Sequence, residues 1–540
     1  MNKIIKYQNS NKLILIVFSV IFIFGTISVK DYGVSSDEYA QRIDGFVNLN
    51  YIGLKISPEI TNKFKKDKNI SDLHDKDFPT KTYPALFNTS AGIIEIVFNI
   101  KDKYNQFLLR HYLNFFIFFL SLICFYKLCY KRFSCWKLSL FGVVLITLSP
   151  RIFANSFYNN KDLVFLSFLL FSVYFGIKFF NKNNLKNAIL FSLSNVFAIA
   201  GARVHGLISP GIIYFLLITY IVISKDDVKN KIRLVLISVF LTIFFTILFW
   251  PYLWESPIVN FIGIFKFLAN FGNVWNFPSL FFGEIIYAKD MPWHYSLTWI
   301  LITTPIFYIL LFIVGFIFLT LGFFNNFKRN LISKKFYFDI IFVSILLIPL
   351  ISSMIFNSTS YNGWRHLYFI YPYFIIYCLL GYKKIHRFIS ARKLHPKIFN
   401  LLTFFIISYY VNWIVINHPH QYAYFNKFAG KNIHKKFDID YWGLSYKENF
   451  NFILENDSRD KIYIKNISAN KYFYLVHSLK DKDRQKFIWE FENRDPDYII
   501  TNYYLEEEYN KFDKKFLEKY SLYKTILVNN TPINTVYKKK

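Results

Sequence analysis

Apolar stretches of membrane-crossing length recur through the first three quarters of the chain, separated by short polar loops. They fall at roughly 12–29, 107–126, 138–154, 163–180, 187–202, 207–223, 233–250, 297–323, 337–356, 367–382 and 398–416. Most approach the ~20 residues that a helix needs to cross a hydrocarbon core about 30 Å thick. The pattern therefore predicts about eleven transmembrane helices. The first run is long for a signal peptide and lacks a small-residue cleavage site, so it reads as a retained span. A shorter apolar stretch, Leu86 to Ile100, carries Glu95 and is expected to lie as an amphipathic helix in the membrane interface.

Beyond residue 417 the apolar runs shorten and charges intersperse. Lys461–Ile464, Asp497–Ile500 and Lys524–Val528 read as short buried strands. Helix-periodic polar stretches, Asp483–Glu492 and Leu505–Tyr520, separate them. Three regions follow: 1–106, with one span and a large external loop; 107–417, a helical bundle; and 418–540, a soluble domain. The expected fold is a polytopic α-helical membrane protein with a small C-terminal α/β domain. No repeat of 20–50 residues is present, which sets solenoids and propellers aside.

Charge settles the orientation. The 540-residue chain has 64 Lys and Arg against 35 Asp and Glu, a formal charge of +29. That excess alone would suggest nucleic acid, but it is gathered in alternate short loops. Lys131 and Arg132, Lys178 and Lys182, Lys225 and Lys229, Lys328 and Arg329, and Lys383 to Lys393 mark those loops. This is the positive-inside pattern, and it places the N-terminus in the cytoplasm and the C-terminal domain outside. Nucleic acid is not an expected partner. Four cysteines, Cys124, Cys129, Cys135 and Cys378, lie in or beside spans and show neither metal spacing nor a disulfide framework.

Acidic and basic residues at the outer ends of the spans are the candidates for chemistry. Asp37 and Glu38 follow the first span closely enough to sit near headgroup depth. A carboxylate there can take a proton from an acceptor hydroxyl, with Glu38 orienting it. Asp162 reaches a similar depth through the outward turn Ser149 to Lys161, and its bland role would be to cap the next helix. Arg151, Arg203 and Arg365 offer planar forks for phosphate, or simply snorkel to lipid headgroups. His294, in Pro292-Trp293-His294-Tyr295, is a candidate ligand or proton shuttle beside an aromatic belt. No Walker loop, dinucleotide glycine pattern or nucleophile elbow occurs.

These motifs resemble the GT-C superfamily of membrane glycosyltransferases. The nearer likeness is to the family-39-like group of protein O-mannosyltransferases and the lipid A aminoarabinose transferase. The likeness rests on Asp37-Glu38 in the first external loop, Asp162 after the third span, and Pro292 to Tyr295 before a later one. Ser149-Pro150-Arg151, Asn160-Lys161-Asp162 and Asp440-Tyr441-Trp442-Gly443 also belong to it. The resemblance implies a polyprenyl-phosphate-linked sugar donor, transfer on the non-cytoplasmic face, and inversion at the anomeric carbon. It carries the catalytic-base role onto Asp37 and a substrate- or metal-binding role onto Asp162, with Asp162 and His294 the candidates to hold a divalent metal. The acceptor would be a lipid, glycan or protein hydroxyl at the periplasmic face of a bacterial inner membrane. The readings set against this are a transporter or flippase of lipid-linked glycans, and a non-catalytic membrane assembly protein.

Overall fold

A computed structural model describes residues 2–59, 61, 72–75, 78, 80–325, 333–356, 358–392, 395–492, 494–505 and 518–540. Among these, eight helices are long and apolar enough to cross a membrane. They are Asn11–Asp31, Lys103–Phe133, Asp162–Asn181, Val204–Ser224, Val228–Phe249, Ile306–Phe323, Lys334–Ile355 and Pro396–Ile416. Their outer faces show apolar side chains such as Leu236, Phe240 and Ile243, each more than half exposed, as lipid-facing surfaces require. The chain is a multi-pass integral membrane protein.

The other three expected spans depart from single long helices, and prolines account for two of the departures. The run 138–154 divides into Trp136–Thr147 and Pro150–Tyr158, bent by 69°. Pro150 cannot continue the first helix but suits the first turn of the next. The run 367–382 opens as a 3-10 turn, Arg365–Ile370, before the Tyr371–Ala391 helix starts around Pro372. The third, Leu185–Gly201, is a helix of 17 residues. Pro305 likewise separates a short helix, Tyr295–Thr303, from the span that follows.

Close backbone approach and buried hydroxyls hold the bundle together. A Cβ on Gly315 would lie 1.9 Å from the carbonyl oxygen of Tyr377, and one on Gly381 equally close to that of Leu311. The two helices therefore touch through their backbones, the packing that small residues permit in membranes. Elsewhere Ser172 donates to Asn195 at 2.6 Å, and Ser192 meets Ser238 at 2.9 Å, tying neighbouring spans by buried polar contacts.

The stretch expected in the interface is the Leu86–Val97 helix, and its charge is deeply engaged. Glu95 is 3% exposed and accepts from Arg42 Nη2 at 2.7 Å and from Arg110. This braces the short helix between Ser36–Ile56 and Lys103–Phe133.

The C-terminal region forms a five-stranded mixed sheet, β3 (Ile462–Asn466), β4 (Phe487–Ile488), β5 (Tyr498–Thr501), β6 (Tyr520–Val528) and β7 (Thr531–Lys539), in the order β4-β3-β5-β7-β6. A separate hairpin, β1 (Pro278–Phe281) with β2 (Glu284–Tyr287), sits in the second external loop. The helix Tyr446–Asn456 covers the sheet with Tyr446, Phe450 and Ile453 packed on Ile462, Ile464, Ile500 and Val536. The three expected strands are present as β3, β5 and β6. β7 completes a hairpin through Asn529 and Asn530, both at positive φ, a turn that asparagine tolerates well. Asp483–Glu492 is not one helix: a short turn, Asp481–Arg484, leads into β4. Most of the expected Leu505–Tyr520 helix lies outside the described residues, as do Lys328, Arg329 and Lys393.

The glycine contact yields a paired test. Gly381→Leu must push the facing helix backbones apart and should destabilise the protein by about 3 kcal/mol or more, the upper end of overpacking costs. A Cβ added at Gly322 meets nothing within 4 Å, so Gly322→Leu should leave thermal unfolding in detergent unchanged. Equal melting of the two variants would contradict this packing.

Candidate active site

Ser35 ends the extended segment after the first span and begins the Ser36–Ile56 helix. Its N–H donates to Glu38 Oε1 at 2.7 Å, the return arm of a capping box. The other Glu38 oxygen meets His111 Nε2 at 2.9 Å, and Glu38 is fully buried. Glu38 is therefore spent on fixing the helix start. Its neighbour Asp37 is left in the first turn with its side chain 40% exposed.

Asp162 begins the third span. Asn159 Oδ1 accepts the N–H of Asp162 at 2.8 Å, so Asn159 supplies the cap and frees the Asp162 carboxylate. That carboxylate, 1% exposed, accepts from Arg203 Nε at 2.8 Å and from Arg365 Nη1 at 3.3 Å. The same Arg365 nitrogen lies 3.6 Å from Asp37 Oδ2. One guanidinium thus joins the first external loop to the third span. Its ring neighbours are Tyr361 at 5.1 Å and Trp442 at 5.0 Å, both within cation–π reach. Asp37, Asp162 and Tyr361 hold the Arg365 proton more tightly than usual, against the opposing effect of burial.

Burial and Arg203 push the Lys161 ammonium down to about 8, and it lies 3.7 Å from the centre of the Tyr83 ring. Burial, opposed by Thr80 and Lys161, raises Asp44 to about 6. His366 is driven well down by burial and by Arg365, and stays neutral. Lys161, Arg203 and Arg365 thus face Asp37, Asp162 and Asp44, three cations against three carboxylates, with Asp162 shared between two guanidinium groups. Lys161, Arg203 and Tyr83 also open onto a cleft whose far wall is Ile264, Phe267 and Leu268, from the Pro257–Ala269 helix. The arrangement can take an anion at its cationic floor and an apolar chain along its wall.

No protein-family model matches the chain, and no curated protein sequence does. Among solved structures, it is similar to ArnT from Cupriavidus metallidurans bound to undecaprenyl phosphate, with a TM-score of 0.43 and 10% identity over 97% of both chains. It is also similar to the archaeal oligosaccharyltransferase AglB from Archaeoglobus fulgidus in complex with an inhibitory peptide and a dolichol-phosphate. That match has a TM-score of 0.47 and 12% identity over 97% of this chain and 74% of that one. An Archaeoglobus fulgidus oligosaccharyltransferase complex with Zn and sulfate matches with a TM-score of 0.45 and 10% identity over 97% and 73%.

Of the residues singled out in the sequence, Asp37, Asp162, Arg203 and Arg365 come together. Arg151 is buried one layer away, donating to the Tyr424 carbonyl at 3.1 Å and lying 4.7 Å from the Phe425 ring. His294 is not drawn in. Its Nδ1 is 3.2 Å from Thr298 Oγ1, an i, i+4 contact within its own helix, and its ring rests on Phe281. Asp162 and His294 share no partner, and both Asp162 oxygens are taken by guanidinium groups. Among the described residues, no group of three His, Cys, Asp or Glu side chains is gathered for a metal. The two residues expected to hold a divalent ion are not brought together.

Lys161, Asp44, Tyr361 and Trp442 were not among the expected site residues. Asp44 follows Asp37 by seven residues and so shares its helix face, a spacing visible in the sequence. Tyr361 precedes Arg365 in a turn with Asn362 and Gly363 at positive φ. Trp442 comes from the far end of the chain, where its carbonyl accepts the Ser36 N–H at 3.2 Å.

The ion cluster makes the two acids unequal. Asp162→Asn leaves buried guanidinium groups short of a counter-charge and should cost about 3–5 kcal/mol of stability. Asp37→Asn removes a part-exposed partner and should cost about 1 kcal/mol or less. Thermal unfolding of the two variants tests this, and an equal loss would refute the assigned roles.

Proposed function

We propose that this protein is an inverting glycosyltransferase that moves a sugar from a polyprenyl-phosphate-linked donor to an acceptor hydroxyl. The carrying observation is the Arg365 bridge, which sets a part-exposed carboxylate beside a buried cluster of cationic side chains. Asp37 takes the acceptor proton as the new carbon–oxygen bond forms on one face of the anomeric carbon. The bond to phosphate breaks on the opposite face, and the departing charge falls to Arg365, Arg203 and Lys161. Donors aimed at developing charge in this way are commonly worth about 3–4 kcal/mol each. The apolar wall at Ile264, Phe267 and Leu268 suits the isoprenoid chain of such a donor.

The reaction face follows from charge. Arg132, Lys335 and Lys384 collect at the end of the bundle away from Asp37, which supports a cytoplasmic position for that end. The site and C-terminal domain then face the periplasm of a bacterial inner membrane, with a lipid, glycan or protein as acceptor.

Asp37→Asn should abolish transfer from a polyprenyl-phosphate sugar while the protein still folds and retains the lipid. Transfer at the wild-type rate by that variant would remove Asp37 from catalysis. The Lys161 ammonium, pushed down to about 8, is charged below that pH and neutral above it. kcat/KM should therefore fall as pH rises through about 8, and Lys161→Arg, which stays protonated, should move that limb upward. An unchanged limb in the arginine variant would exclude Lys161 from phosphate binding.

A further inference from the structure

A second cleft lies at the opposite end of the bundle, where four helices finish together. Arg132 is in the last turn of Lys103–Phe133, a helix of 31 residues that rises about 46 Å away from the active-site end. Gly322 closes the Ile306–Asn325 helix, Lys335 opens Lys334–Ile355, and Lys384 follows the apolar half of Tyr371–Ala391. These elements enclose about 250 Å³. Apolar composition gives way to Lys and Arg at this level in three of them, Lys103–Phe133, Lys334–Ile355 and Tyr371–Ala391, which is the depth of lipid headgroups.

The lining has a charged half and an apolar half. Arg132 pairs with Asp339, the one carboxylate among the described residues of the lining, so Lys335 and Lys384 leave two positive charges in excess among them. The apolar wall includes Phe318, 41% exposed, and runs past Gly322, where an added Cβ would meet nothing within 4 Å. The Lys384 ammonium stands 4.6 Å from the Phe318 ring centre, at the boundary between the halves. A free anion would use only the charged half. A molecule with a negative phosphodiester and an acyl chain uses both.

We propose that this cleft binds an anionic phospholipid of the inner leaflet. Its phosphate lies against Lys335 and Lys384, and one chain follows the furrow past Phe318 and Gly322. The proposal does not depend on the reaction catalysed at the other end.

The test counts lipids retained by the purified full-length protein in native mass spectrometry, from micelles containing phosphatidylglycerol or phosphatidylcholine. The wild type should prefer phosphatidylglycerol, and the double variant Lys335→Gln/Lys384→Gln should lose that preference by roughly 30-fold. Lys225→Gln/Lys229→Gln, a pair outside the cleft, should keep it. Gly322→Leu fills the furrow while leaving both lysines, and should lose phosphatidylglycerol even if the double variant fails to fold. Undiminished phosphatidylglycerol binding in either cleft variant overturns the proposal. So does complete displacement by inorganic phosphate, which would make the cleft a site for free anions.

Discussion

A guanidinium taken out of water must find negative charge, and at Arg365 that need organises the molecule. The side chain is 4% exposed, and its charge is met by Asp162 from the third span and Asp37 from the first external loop. Asp162 cannot serve Arg365 alone, because Arg203 also draws on it. The cluster therefore holds two guanidinium groups on one buried carboxylate, next to a second carboxylate that solvent reaches, and the fold fixes these charges in place.

The position of Asp37 is fixed by its neighbours. Glu38 caps its own helix and is held by His111, so the first turn of that helix cannot rotate. The C-terminal domain presses on the same turn. The Trp442 carbonyl receives the Ser36 N–H, and a Cβ on Gly33 would strike the Leu444 carbonyl at 2.5 Å. The Asp440–Ser445 loop is itself fixed, with Asp440 accepting from the backbone N–H groups of Leu444 and Ser445. The soluble domain thus supplies a ceiling to the membrane site rather than hanging free of it.

The two ends of the bundle manage charge differently. At the site end, carboxylates and guanidinium groups are interleaved and mostly buried. At the other end, lysines outnumber acids and lie against aromatic rings near the surface, as Lys384 does on Phe318. The first arrangement selects geometry, because every ion depends on a particular partner. The second tolerates variation in position, which is what contact with a fluid lipid layer requires.

Hydrophobic period and length by themselves determined that this chain crosses a membrane many times and ends in a sheet-containing domain, because burying backbone in lipid admits little besides long apolar helices. The acids and arginines at span ends were visible for the same reason: such groups are too costly there to be incidental. Which of them meet was decided only by the fold. Asp37, Asp162, Arg203, Arg365 and Trp442 are separated by up to hundreds of residues, and electrostatic pairing acts through space, not along the chain. His294 looked equivalent to these in the sequence, yet a local hydrogen bond to Thr298 keeps it in its own helix. Pro150 and Pro372 lie inside runs read as single spans, and the 69° bend and the 3-10 turn that carries Arg365 emerged only in the fold. Local rules set the elements; the match of buried charge to buried charge set the site.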